Sequence, residues 1–237
     1  MKNILLRSGF FLCVIGSAVP DLPGRAVERG PFTSGAGYLA IGGASLDCGG
    51  LNAAMAGSGY SGFGGAFPTL GGGGYAVVDR LVLGGEGRAY LAKSRGNASF
   101  KASLAGGSGF FQIGWIVHAG RGFRVLPLIG LGAGSIHLDI TGSSPAPFGE
   151  VIADPKRSAR LQTSGFLLDP GLAVEHWFGR RRAGRSRFFV GVRAGYVFAP
   201  ARSGWELEKM EIEGGPKLNL GGPHLRLVIG AGSAGGR

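Results

Sequence analysis

The chain is poor in cysteine, with only Cys13 and Cys48 in 237 residues, and removal of an N-terminal leader would leave Cys48 alone. A disulfide framework is therefore excluded, and a zinc site built on paired cysteines has no ligands. Charge is also scarce: 16% of residues are charged and 44% hydrophobic, the opposite of what keeps a chain disordered. No run approaches the roughly 18 consecutive apolar residues of a membrane-spanning helix, which argues against a helical membrane protein. The glycine run Gly71 to Gly74 is not followed by Gly-Lys-Ser/Thr, so it does not read as a phosphate-binding loop. His118, His176 and His224 fall on different segments, and neither a metal nor another cofactor is expected.

Glycine is abundant instead, with 49 residues beside 12 prolines, but it does not recur every third position as in collagen. It concentrates inside apolar runs such as 129–135, which reads Ile-Gly-Leu-Gly-Ala-Gly-Ser. The stretch 187–200 shows the underlying order. Phe188, Val190, Val192, Ala194, Tyr196 and Phe198 share one face of an extended strand, and Phe189, Gly191, Arg193, Gly195 and Val197 share the other. An apolar face backed by small residues and a charge suits a wall between hydrocarbon and a narrow polar interior. Rows of glycine suit the inner face of a small closed barrel, where space is short.

Lys2 and Arg7 precede the apolar stretch 10–15 and the small residues Gly16, Ser17 and Ala18. This predicts a secretory signal peptide over 1–18, then a polar lead over 19–33, then one β-barrel domain over 34–237. Leu12 stands where a lipoprotein signal carries a small residue, which argues against lipidation of Cys13. Strands are predicted over 35–46, 71–78, 81–93, 100–118, 123–140, 159–178, 187–200 and 223–234, with a helical turn at 51–55. The connections run long, short, medium, short, long, short, long. That alternation predicts an all-β fold, an eight-stranded antiparallel up-and-down transmembrane β-barrel. An open sheet would leave two unpaired edges in the bilayer, so closure follows. A soluble carrier barrel of lipocalin type is the alternative, and it would turn its apolar face inward.

The strand count, alternation and loop order resemble small outer-membrane barrels of the OmpA/OmpX type. The segments Gly71-Gly72-Gly73-Gly74-Tyr75 and Leu83-Gly84-Gly85-Glu86-Gly87 are similar to a Gly-rich, uncharacterised branch of such barrels. The resemblance implies insertion in the bacterial cell outer membrane after signal cleavage, with outer-membrane lipid as the surroundings. It implies a structural or interaction role at the cell surface, by adhesion or partner binding, through loops 47–70, 141–158 and 201–222, and no enzymatic activity. A surface or periplasmic protein is the partner expected, without nucleic acid, and the oligomeric state is open. Barrels of this type usually end on an aromatic residue, whereas this chain ends Gly-Ser-Ala-Gly-Gly-Arg. Either the last strand stops near Ile229 or the terminal signal is degenerate.

The net charge of +11 comes with arginines gathered at the predicted short turns, among them Arg180, Arg181, Arg182, Arg185 and Arg187. They form a basic rim suited to anionic phospholipid headgroups. Glu206, Glu208, Glu211 and Glu213 make the opposite rim acidic, as a solvated loop. Strand parity points Glu86, Arg88, Asp169, Glu175, Arg193 and Arg226 into the lumen together with Gln112. Charges so enclosed must pair, which predicts a salt-bridged plug, with a narrow pore as the alternative. A catalytic set is formed by Ser135, His137 and Asp139, alternate residues near the loop end of one strand, which offer a nucleophile, a base and an orienting acid. Their placement resembles outer-membrane lipid A deacylases, and would imply a lipid A-modifying acyl hydrolase. The order is reversed from that family, and no His-x-Ser-Asn sequence is present.

Overall fold

The computed structural model describes residues 32–97, 99–143, 149, 158–179, 186–207, 210–216 and 218–234. The segment 1–18 expected to be a signal peptide and nearly all of the expected lead lie outside the described residues, as do Arg180, Arg181, Arg182, Arg185 and most of the 141–158 loop. The described chain is almost wholly strand: β1 (Phe32–Ser45), β2 (Ala66–Val78), β3 (Leu81–Gly96), β4 (Phe100–Trp115), β5 (His118–Gly120), β6 (Phe123–Gly142), β7 (Ser158–Trp177), β8 (Ser186–Arg202), β9 (Trp205–Leu207), β10 (Met210–Ile212) and β11 (Gly222–Ala234). One helix, α1 (Gly49–Ala56), interrupts them.

Eight of these strands form a closed antiparallel barrel, each paired with its sequence neighbour and β11 returning to β1 through Tyr38↔Gly230 and Ile41↔Leu227. Short turns crowd one end. Asp79 turns β2 into β3 with φ 56°, and Arg121 and Gly122 turn β5 into β6 with φ 48° and 88°. Such left-handed backbone is open to glycine and tolerated by aspartate, so Gly122 and Asp79 fit their places, while Arg121 adopts it at a steric cost.

Three boundaries differ most from expectation. Strand β2 begins at Ala66 rather than 71, because Phe67 and Thr69 continue the inward alternation. Pro68 is tolerated there because pairing with β3 starts only at Thr69↔Tyr90. Strand β4 stops at Trp115, and the next residues reach β6 separately through β5. The connection expected over 201–222 contains a hairpin, β9–β10, whose first strand pairs with β7 at Leu161↔Leu207. Strand β11 runs to Ala234, the end expected for the last strand, so of the two options offered for the missing terminal aromatic the strand does not stop near Ile229.

The barrel is filled. At the loop end Leu51 and Met55 of α1, one turn apart on the same face, join Phe63, Phe67, Tyr90, Leu104, Phe110 and Trp205 in an apolar core. At the turn end Tyr38, Tyr75, Val77, Leu126, Trp177 and Phe189 form a second one. The glycine rows are not empty either. A Cβ at Gly73 would stand 2.7 Å from the Tyr38 hydroxyl, and one at Gly230 would stand 2.4 Å from the Phe189 ring. Each inward glycine of this kind is the bed for a large side chain from a neighbouring strand.

Candidate functional site

Three regions of the barrel carry its chemistry: a charged layer inside, a change of polarity outside, and the loop-end edge of that change.

The six charges predicted for the lumen are all buried; Glu86, Arg88, Asp169, Arg193 and Arg226 lie in a layer between the two apolar cores, and Glu175 extends it into the turn-end core, between Ala173 and Trp177 on β7. Their position follows from strand order: on β3, Glu86 and Arg88 fall between Val82 of one core and Tyr90 of the other. Glu86 is the hub. One of its oxygens accepts from Arg88 Nε at 2.5 Å and from Arg226 Nη1. The other accepts from the Tyr38 hydroxyl at 2.8 Å and from Arg193 Nη1 at 3.2 Å. Arg88 also donates to Asp169, whose second oxygen lies 2.7 Å from His224 Nε2. Glu175 accepts from the Tyr75 hydroxyl at 2.6 Å and from Trp177 Nε1 at 3.0 Å, and its other oxygen is 3.6 Å from Arg193. Gln112 accepts from Arg193 at 3.2 Å. Arg193 stacks on Tyr38 and Arg88 on Phe110, with cation-to-centroid distances of 4.0 and 4.5 Å.

Three carboxylates thus face three guanidiniums, so the layer is neutral when His224 is neutral. A charge without a partner here would carry the full cost of desolvation, and the balance removes it. Tyr38, Tyr75 and His224 belong to the network although sequence reasoning did not place them in it. Parity could have found His224, which stands two residues from Arg226 on the same face. The interior carries its paired charges in this layer, with apolar cores toward either end.

Outside, Leu39, Ile41, Leu70, Leu83, Phe111, Ile113, Ile129, Leu131, Leu172, Val174, Val190, Val192, Leu227 and Ile229 are exposed, and together they give every one of the eight barrel strands an apolar outer stretch. Toward the turn end aromatic residues join it: Trp115, Phe123, Phe178 and Phe188 are exposed, and His176 packs between Phe123 and Phe178. Toward the loop end the belt stops. On β6 the outward residues change from Leu131 and Ala133 to Ser135, His137 and Asp139, and their partners on β7 change from Phe166 to Ser164, Gln162 and Arg160. Behind these polar residues the inward Ile136 and Leu138 belong to the apolar core. On β6 and β7 polarity thus inverts along the barrel axis: apolar outside over the middle, where the interior is charged, and polar outside at the loop end, where the interior is apolar.

Ser135, His137 and Asp139 lie in this outer polar panel. Ser135 Oγ and His137 Nε2 are 3.5 Å apart, but Asp139 is engaged by Arg160 Nε at 2.5 Å, and His137 Nδ1 has no partner among the described residues. The acid therefore does not orient the imidazole. Of the basic rim, Arg187 is described and is buried rather than solvated: it donates to the carbonyls of Phe178 and Trp177, with its guanidinium over the Trp177 ring. Arg124 lies over the same ring, 4.5 Å from its centroid. In the β9–β10 hairpin Glu206 and Glu211 stand directly opposite each other. Among the described residues no three His, Cys, Asp or Glu side chains converge as a metal site. The chain matches no protein-family model, and no curated protein is similar to it in sequence.

Proposed function

We propose that the chain is an integral β-barrel of the bacterial outer membrane, closed to solutes, that anchors in the bilayer and presents its loop end as a surface for interaction. The observation that carries this reading is the inversion of polarity along the axis. A soluble carrier barrel would keep its outside polar throughout, whereas here the outside is apolar over a belt and polar only beyond it. From Phe188 to Phe198 on β8 the belt rises about 25 Å, taking about 3.4 Å per residue and a tilt near 40°, which is the height of a membrane barrel's apolar band. The aromatic residues at its turn end suit the interfacial girdle of such barrels. The two apolar cores favour a plug over a pore, and the Asp139–Arg160 pair argues against a hydrolase triad.

The loop end projects past the belt and is covered by α1 and the β9–β10 hairpin, so a protein or polymer partner would meet those elements first. The test is flotation with lipid vesicles after an alkaline wash, together with heat-modifiable migration on a gel. The barrel is expected to float and to migrate faster unheated than heated. Recovery of the washed protein in the aqueous phase without detergent would sink the reading.

A further inference from the structure

We infer that the turn-end rim of the barrel selects anionic phospholipid, whose phosphate is bound by Arg80 and Arg121. The inference rests on the membrane reading above and goes beyond it by naming a lipid class and the two residues that recognise it. Arg80 lies in the β2–β3 turn, and Arg121 in the turn from β5 into β6. Both are exposed, and neither has an ion pair or a side-chain hydrogen bond among the described residues. Their guanidiniums are therefore free to take a ligand.

Their place in the fold points to a headgroup. Arg80 abuts Trp115: its carbonyl accepts from the Ile116 N–H at 2.8 Å, and the next residue, Leu81, pairs with Trp115. Arg121 stands just before Gly122 and Phe123, whose ring packs on His176 and through it on Phe178. Each arginine thus borders the exposed aromatics at the turn-end margin of the apolar belt. Aromatic rings at such a margin settle at headgroup level, and a long cationic side chain beside them reaches the phosphates. A soluble polyanion would have to approach a margin that lipid already covers.

Charge selects which lipid. Of the described residues in the short turns only Asp79 is acidic. Arg124, half-buried over Trp177 with its Nη1 unpartnered among the described residues, adds a further cation to this end. The loop-end margin is different, since Arg160 is matched by Asp139 and Glu206 faces Glu211. A zwitterionic headgroup brings its own cation to such a rim, whereas an anionic one brings net opposite charge. Backbone strain gives independent support. Arg121 holds φ 48°, where glycine would sit without steric cost, so the position keeps a charged side chain against the local backbone preference.

The experiment reconstitutes the whole barrel in phosphatidylcholine bilayers containing phosphatidylglycerol, with bromine on the acyl chains of one lipid or the other, and reads the quenching of tryptophan fluorescence. Trp115 is the exposed indole of the three, since Trp177 and Trp205 are buried. Phosphatidylglycerol is expected to be enriched about fivefold beside Trp115, the worth of one arginine near a charged surface, and less so at high salt. Arg80→Gln should bring the two lipids to parity there. For Arg121 the reporter moves to Phe123→Trp in a Trp115→Phe background. Arg121→Gly should remove the enrichment at that reporter while leaving the urea midpoint of the barrel unchanged or raised. A purely structural Arg121 would instead lower the midpoint and leave the enrichment. Equal quenching by the two lipids, or enrichment that survives both substitutions, would overturn the proposal and leave the arginines simply solvated. Absence of quenching by either lipid would sink the membrane reading itself, a different outcome from equal quenching.

Discussion

Glu86 shows what a single residue decides in this molecule. It neutralises guanidiniums delivered by three strands, and its side chain is fully enclosed. Asp139 also pairs with an arginine, but Arg160 is 70% exposed in its side chain and water can replace either partner. The two acids should therefore respond differently to loss of charge. Glu86→Gln is expected to destabilise the barrel by about 3–5 kcal/mol, because it leaves buried cations without a counter-charge. Asp139→Asn should cost less than about 1 kcal/mol, the range of exposed pairs. Urea titrations of the folded fraction in vesicles, read by gel migration, would measure both. Equal effects would mean that the interior layer is hydrated and does not act as a sealed network.

At the scale of elements, α1 works as a stopper more than as a helix. Its eight residues are too few to be stable alone, so Leu51 and Met55 hold it by burial in the mouth of the barrel. Cys48, immediately before it, is buried in the same core, and burial with Asp47 alongside pushes its thiol up from the ordinary value. A raised folded-state value means that the protonated, unreactive form persists further up the pH scale than in the unfolded chain. In a Cys13→Ser background, Cys48 is expected to react slowly with a maleimide near neutral pH and rapidly after unfolding. Leu51→Gly should speed labelling at least about tenfold without abolishing heat-modifiable migration, since the strands below are untouched. Fast labelling of the unmodified protein would show that α1 does not seal the mouth. The β9–β10 hairpin continues the sheet above β7, with Trp205 donating to the Pro216 carbonyl at 2.6 Å to hold it down.

For the whole molecule, the order of layers decides permeability. Ions entering from either end would meet an apolar core before reaching the charged layer, and that layer spends its charge on internal pairs. Reconstitution in planar bilayers is expected to give no discrete conductance steps at neutral pH. Stable channels would require the loop-end core to open, and Leu51→Gly would then raise their frequency. The same layering places the most polar part of the interior behind the most apolar part of the exterior.

Local geometry made much of this legible in the sequence. Side chains alternate along any extended strand, so period two alone located the eight barrel strands to within a few residues and put Glu86, Arg88, Asp169, Glu175, Arg193 and Arg226 on the inner face. The same rule separated Ser135, His137 and Asp139 from the apolar residues inside them. Pairing between distant residues was beyond its reach. Arg226 meets Glu86 across 140 positions only because β11 closes on β1, and parity tells which way a side chain points, not how far along the axis its partner stands. The glycine rows were likewise ambiguous: an absent side chain can leave a void or make a bed, and only the neighbouring strand, carrying Tyr38 to Gly73 and Phe189 to Gly230, decides which. The sequence by itself determined strands and faces, because those depend on local backbone geometry. The tertiary structure decided the balance of charges and the two apolar plugs, because each depends on which residues barrel closure brings to the same height.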